Sequence, residues 1–283
     1  HSAIEKLEKV YYSQAADGSV IEPKMYNKDS PMIRTLVFSI VAGLLMFPAL
    51  ASDLEKQQRW RDEVEDLIMD GESVDLMVDG RAVFSIYTEA QEPSDKGMIV
   101  VHGTGIHPNW EQVVQPIRVR MTGQGWNTLA IQMPILRNGA EYHEYAAIYP
   151  EVPARLQAAE AFLKEKGLKT ILIVAHSQGA TMSSYYLSRN ASSVAGFLAI
   201  GMNANQKDAH INSAESLKKI NIPVLDLYGS DDLAAVLETV ERRKQGGAHN
   251  PNFAQQVVAG ANHFFDGMND ELLAAVIAWS SKF

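Results

Sequence analysis

"TILIVAHSQGATMSSYYLSRN", residues 170–190, decides the fold. Ile171 to Val174 form an apolar, partly β-branched run that ends abruptly in Ala175-His176-Ser177-Gln178-Gly179. A stretch without proline or further glycine follows, which predicts a helix over 178–189. A serine therefore stands between a buried strand and a helix, with small residues two places on either side. A sharp strand-to-helix turn strains the backbone at its centre and crowds the positions two before and two after. Ala175 and Gly179 meet that steric need. Such a turn projects the Ser177 oxygen at the carboxyl end of the strand, where reactive groups of α/β sheets collect. The positive end of the following helix points at the same place and favours a developing oxyanion.

Working outward, "GMIVVHG" (97–103) is another continuous apolar run, as expected of a strand covered on both faces. Further strand candidates are 126–134, 194–202, 222–229 and 253–260. Helical patterns lie between them. Residues 109–122 include Pro116, which predicts a break or a helix that begins there. Residues 151–166 put Leu156, Ala159, Phe162 and Leu163 on one face, and 269–282 open with Asn269-Asp270-Glu271 as cap and first turn. Residues 53–70 read as an amphipathic helix with Trp60, Val64, Leu67 and Ile68 at helical spacing. "VDLMVDGRAVFSIY" (74–87) is two apolar stretches around Asp79-Gly80, a strong hairpin signal. The alternation predicts an α/β domain: a mostly parallel central sheet, helices on both faces and an antiparallel N-terminal hairpin. No repeat or linker interrupts 52–283, so one domain is expected.

Composition is that of an ordinary globular protein, 46 % apolar and 21 % charged over 283 residues. Net charge is −9 and disfavours nucleic acid or an anionic membrane as a partner. The chain has no cysteine, which excludes disulfides, thiolate metal ligands, a cysteine nucleophile and a lipid-modified cysteine. No pair of histidines has convincing zinc-ligand spacing, so no metal is expected, and the chemistry of the motifs described below implies no cofactor.

Met32-Ile33-Arg34 opens a stretch with one positive charge, followed by an apolar core at Leu36–Phe47, then Pro48 and Ala49-Leu50-Ala51. That order is the pattern of a secretory signal peptide, with its cut expected after Ala51. An uncleaved membrane anchor is the alternative, since the run is near the lower limit for spanning a bilayer. The expected organisation is an upstream extension (1–31) with no assigned function, a signal peptide (32–51) and a mature domain (52–283). The mature protein is expected to be periplasmic or secreted, with no stable membrane insertion after cleavage.

Ala175-His176-Ser177-Gln178-Gly179 resembles the nucleophile elbow of α/β-hydrolases, with alanine where glycine is commoner. Three further motifs stand in the order that this fold uses. "IVVHGTGIHPNW" (99–110) resembles the loop that supplies an oxyanion donor, which implies the backbone N–H of Thr104, with that of Gln178 as the second. "PVLDLYGSDDLAA" (223–235) carries the acid: the resemblance points to Asp232, three residues beyond Gly229, and Asp231 is the alternative. Asp226 falls inside the strand and suits a hydrogen-bonded structural role. "VVAGANHFFDG" (257–267) places His263 after the last strand candidate. A serine needs a neutral imidazole to take its proton, and the imidazole needs a carboxylate to fix its tautomer. Ser177, Asp232 and His263 are therefore the expected catalytic residues.

The resemblance spans residues 74–283 and looks most like an exported bacterial branch of undefined substrate. It implies a serine hydrolase acting on a small-molecule or lipid ester, carboxylester or thioester. A non-catalytic binding or envelope-accessory protein on the same scaffold is the alternative, and a peptidase is a third reading. The short segment 203–221 predicts no large cap domain. Residues 135–153, with Tyr142, Tyr145 and Tyr149, are expected either to wall one side of the cleft or to form a surface loop tied down by its tyrosines. His102 is expected to brace the oxyanion loop, and His176 to pack. His107 and His143 sit on loops at the catalytic end, and His210 and His249 are expected at the surface.

Overall fold

The structure is a computed structural model, and it describes residues 52–283. The expected upstream extension and signal peptide lie outside the described residues. Those described belong to one compact unit, Leu50–Phe283.

The chain enters through helix α1 (Leu54–Val64), capped by the Asp53 carboxylate, which accepts the Lys56 N–H at 2.9 Å. Val64 is buried as expected, but Leu67 is 66 % exposed. A short 3₁₀ turn, Glu65–Leu67, ends the α-helical periodicity before Leu67 and turns it outward. Strands β1 (Glu72–Val78) and β2 (Arg81–Thr88) form the hairpin. Asp79 and Gly80 take φ of 49° and 77°, the paired left-handed residues that a tight I′ turn requires.

Six more strands follow: β3 (Lys96–Val101), β4 (Asn127–Ile131), β5 (Thr170–His176), β6 (Gly196–Ile200), β7 (Val224–Asp231) and β8 (Phe253–Asn262). The sheet order is β1-β2-β4-β3-β5-β6-β7-β8. Two pairings are antiparallel, β1 with β2 in the hairpin and β2 with β4, and every pairing from β4 to β8 is parallel. Side chains alternate between two apolar layers, as the two-residue period of a strand demands. Ile99, Val101, Ile171 and Ile173 pack on one face with Leu156, Ala159 and Leu163 of α3 (Val152–Glu165), and with Tyr186 of α4 (Gln178–Leu187). Met98, Val100, Leu172 and Val174 pack on the other, against Ile117 of α2 (Val114–Arg120) and Leu272 and Val276 of α8 (Asn269–Ser280).

Some boundaries differ from expectation. Helix α2 starts two residues before Pro116, so the proline sits in the first turn, where its missing N–H costs nothing. The break falls instead at Val113, φ 62°, across which the Val114 N–H donates to the Gln112 carbonyl at 2.6 Å. Helix α8 begins at Asn269, and Met268 holds the cap position without a side-chain bond. Strand β7 runs past Gly229 to Asp231, through a register shift against β8. Between β6 and β7 lies one short helix, α5 (Ser213–Leu217), so no large cap domain is inserted there. Helices α6 (Ala234–Leu237) and α7 (Val240–Gly247), which are too short to show a period, connect β7 to β8.

Helix α7 is pinned by a buried ion pair. Arg243 Nε donates to Asp226 Oδ2 at 2.8 Å, with both side chains 0 % exposed. Gln255 Nε2 donates to the same oxygen at 2.9 Å, and Arg243 Nη1 donates to the Val236 carbonyl at 2.8 Å. Burial pushes the Asp226 carboxyl up, against the pull of Arg243 and Gln255. Removing one partner leaves a buried charge unpaired. Arg243→Leu should therefore cost ~3–5 kcal/mol in urea unfolding, and Asp226→Leu added to it should recover most of that loss. Equal losses in the single and double variants would reject this account.

Candidate active site

Strand β5 passes into helix α4 with Ser177 as the only residue between them. Ser177 takes φ 54° and ψ −121°, a conformation that costs an L-residue on the order of ~1–3 kcal/mol. Its N–H donates to the Ile200 carbonyl at 2.7 Å, which ties the turn to β6. Gly179 is needed for close approach: a Cβ there would collide with the carbonyl oxygen of His102.

Two loops bring the other expected side chains to this turn. His263 follows β8, and its Nε2 stands 2.9 Å from Ser177 Oγ. Its Nδ1 stands 2.6 Å from Oδ1 of Asp232, which follows β7. The carboxylate accepts at Nδ1, so the ring proton sits there and the Nε2 lone pair faces the serine. Asp232 also accepts the N–H groups of Leu233 at 2.7 Å and Gly229 at 3.3 Å. Burial pushes its carboxyl up, but the hydrogen bond and charge of His263 and these two amides outweigh it and hold the group below its ordinary value. Asp231, the alternative, is exposed and bonded only to its neighbour Ser230. Of the two adjacent carboxylates, Asp232 alone meets His263.

Gly201, which motif reading passed over, closes the site from β6. It takes φ +59°, and a Cβ there would lie 2.9 Å from His263 Cε1. Any side chain at this position would push the imidazole off the serine.

The two expected oxyanion donors flank the turn. Gln178 is the first residue of α4, so its N–H has no acceptor within the helix. The loop after β3 presses on the serine: a Cβ on Gly103 would lie 3.1 Å from Ser177 Cβ. Thr104 is the next residue, and it is exposed. His102 braces this loop as expected. Its Nδ1–H donates to the Gly103 carbonyl at 2.8 Å, and its Nε2 accepts the Met133 N–H at 2.9 Å. Burial pushes its pKa down to about 3, so it is neutral.

His176 does more than pack. Its Nε2–H donates to the His263 carbonyl at 2.9 Å, and the two rings lie 4.9 Å apart. It thus anchors the loop that carries the imidazole. Its position just before the serine gave no sign of this, because the partner lies 87 residues away. His107 is wedged between Trp60, at 4.7 Å, and Trp110, at 5.3 Å, and is buried rather than presented to a cleft. His143, His210 and His249 are exposed.

The aromatic segment forms a 3₁₀ helix, Tyr142–Glu151. Tyr145 and Tyr149 are buried. The Tyr142 hydroxyl accepts from Gln206 Nε2 at 2.9 Å and Asn203 Nδ2 at 3.1 Å, and meets the Thr181 hydroxyl at 3.3 Å. The tyrosines thus tie the segment to the β6 loop and to α4.

Backbone strain gathers at the site. Among the described residues four non-glycine residues have positive φ: Asp79, in the hairpin turn, and Val113, Ser177 and Phe265. Phe265 lies two residues beyond His263. Val113 follows Gln112, whose side chain holds Asp266 at 2.6 Å. Strain at Ser177 itself and two residues beyond His263 is the kind that collects at preorganised sites.

An eight-stranded, mostly parallel sheet with an N-terminal hairpin, a strained serine turn after β5 and an acid and histidine beyond β7 and β8 make up the α/β-hydrolase fold. By sequence, the chain matches the family described as "Protein of unknown function (DUF3530)" over residues 48–153 and 138–282, and it belongs to that family. No curated protein matches it by sequence. Solved structures share its fold at low identity. An esterase of Pyrococcus furiosus is 18% identical, with 78% of this chain and 95% of that one covered at a TM-score of 0.63. An alpha-beta serine hydrolase homologue from Coxiella burnetii is 17% identical, covering 75% and 98% at 0.59. Est1E from Butyrivibrio proteoclasticus is 14% identical, covering 75% and 98% at 0.58.

Proposed function

We propose that this protein is a serine hydrolase that cleaves an ester-type bond, carboxylester or thioester, through an acyl-enzyme on Ser177. One observation carries the reading: His263 reaches Ser177 Oγ at 2.9 Å through one ring nitrogen and Asp232 at 2.6 Å through the other. His263 Nε2 takes the Ser177 proton as Oγ attacks the carbonyl carbon. The negative oxygen that forms is held by the N–H groups of Gln178 and Thr104. Collapse expels the leaving group, which receives the proton from His263. A water deprotonated by the same nitrogen then attacks the acyl carbon, and the acid departs as Ser177 regains its proton. The fold shared with solved esterases is consistent with this chemistry.

The test is labelling by a fluorophosphonate probe, followed by a panel of esters and thioesters of increasing chain length. The protein should label and Ser177→Ala should not. Well-folded protein that fails to label would leave a binding role on the same scaffold. We further propose that residues 32–51 direct export and are removed, which makes the mature protein periplasmic or secreted.

A further inference from the structure

The export reading fixes one peptide bond, Ala51–Ser52, from the small-x-small pattern alone. Around Ser52 the structure shows something that pattern does not require. Ser52 is only 7% exposed. Its N–H donates to Glu151 Oε1 at 3.1 Å, and its hydroxyl donates to Glu151 Oε2 at 2.6 Å. A single carboxylate thus receives both donors of one residue, from 99 positions away.

The next residues are pinned as firmly. The Asp53 N–H donates to the Ile135 carbonyl at 2.7 Å, and Lys56 Nζ donates to the Leu136 carbonyl at 3.1 Å. Tertiary anchoring is therefore in place at the residue that the expected cut would expose. New termini are usually poorly ordered unless they are tied down in this way.

Glu151 is itself held. Its side chain is 18% exposed, and Arg155 Nη2, on a side chain 5% exposed, stands 3.7 Å from Oε2. Arg155 Nη1 is committed to the Gln132 carbonyl at 2.6 Å. Oε1 faces the Ser52 nitrogen and has no other donor among the described residues.

We propose that Glu151 is the docking site for the chain's own new N-terminus, the α-ammonium of Ser52, created by processing after Ala51. The proposal rests on the export reading. Hydrolysis of the Ala51–Ser52 bond by a processing peptidase consumes one water, leaving a carboxylate on Ala51 and an ammonium on Ser52. Before the cut, Glu151 holds a neutral amide. After it, the same oxygen holds a cation, and the hydrogen bond becomes a charge-assisted ion pair, the stronger kind. Glu151 ends the 3₁₀ helix whose tyrosines lean on α4, the helix that begins next to Ser177. Processing thereby tightens the segment that the tyrosines tie to α4.

Two measurements test this. The intact mass of protein exported by a bacterial host from the full sequence should correspond to a chain starting at Ser52. A different start would overturn the export reading and the docking with it. Thermal unfolding of the Ser52-start protein is then compared with a form that retains Ala51, each with and without Glu151→Gln. With Ser52 first, Glu151→Gln should lower Tm by about 5 °C, and with Ala51 retained by less than half as much. Glu151→Asp should fall between, because it keeps the charge and shortens the reach. Equal losses in both forms would overturn the docking while leaving the start site intact.

Discussion

On the proposed mechanism, Asp232→Asn should lower kcat/KM for ester hydrolysis by on the order of 10⁴-fold, whereas Asp231→Asn should stay within about threefold of the parent. The reasoning rests on which ring nitrogen bears the proton. Asp232 Oδ1 accepts at 2.6 Å from His263 Nδ1, which leaves Nε2 free to take the Ser177 proton. An amide at this position presents an N–H of its own. It favours the tautomer with the proton on Nε2, where nothing remains to accept from serine. The Asp232 carboxylate also faces the imidazolium that forms as the reaction proceeds, and an amide gives that cation no charge to lean on. Asp231 is exposed and bonds only Ser230, so its amide changes neither. Steady-state kinetics on the best ester of the panel, together with the rate of fluorophosphonate labelling, checks both arms. A loss confined to Asp231→Asn, or shared equally by the two, would show that a different carboxylate serves His263.

That pair of aspartates also marks what could be read in the sequence. The parallel strands were legible because strands covered on both faces must be apolar throughout, as in Ile171–Val174 and Met98–Val101. The hairpin was legible because Asp79-Gly80 can adopt a turn that few dipeptides can. Ser177 and His263 were legible from local chemistry at strand ends. The choice between Asp231 and Asp232 rested on resemblance, since the register shift in β7 that orients them depends on pairing with β8. Contacts between distant segments left no local trace. The hydrogen bond from His176 to the His263 carbonyl spans 87 residues, and the one from Ser52 to Glu151 spans 99. Gly201 falls in the same class, because its need for a bare Cα comes from a ring delivered by β8. Helices α5, α6 and α7 are four to eight residues long, too short for a 3.6-residue period to emerge.

Three of the buried histidines should make the fold acid-sensitive. Burial pushes His102 down to about 3, and His107 and His176 to about 4. The ordinary value in an unfolded chain is about 6.5. Each therefore stays neutral in the native state at a pH where the unfolded chain binds a proton. Stability rises with pH wherever the unfolded state binds more protons, so it must fall as pH drops from about 6.5 toward 4. Hydrogen bonding agrees with that sign. His102 Nε2 accepts the Met133 N–H at 2.9 Å, and His107 Nδ1 accepts the Asn109 N–H at 3.2 Å. A proton on either nitrogen would face a donor and break the bond. With three sites acting together, the slope approaches ~4 kcal/mol per pH unit near pH 5, and the loss between pH 7.5 and 5 reaches about 6 kcal/mol. That is comparable with the whole stability of many domains, ~5–15 kcal/mol. Asp232 adds a further loss only at lower pH, as the pH falls through the ordinary carboxylate range, because its carboxyl is held below its ordinary value in the native state. Urea unfolding at half-unit steps from pH 7.5 to 5 reads the slope directly, and His107→Gln should reduce it by about one proton in three. A stability that stays flat across this window would mean that these imidazoles are protonated in the native state. Their hydrogen bonds would then have to be arranged otherwise than described, including the one from His176 that anchors the His263 loop.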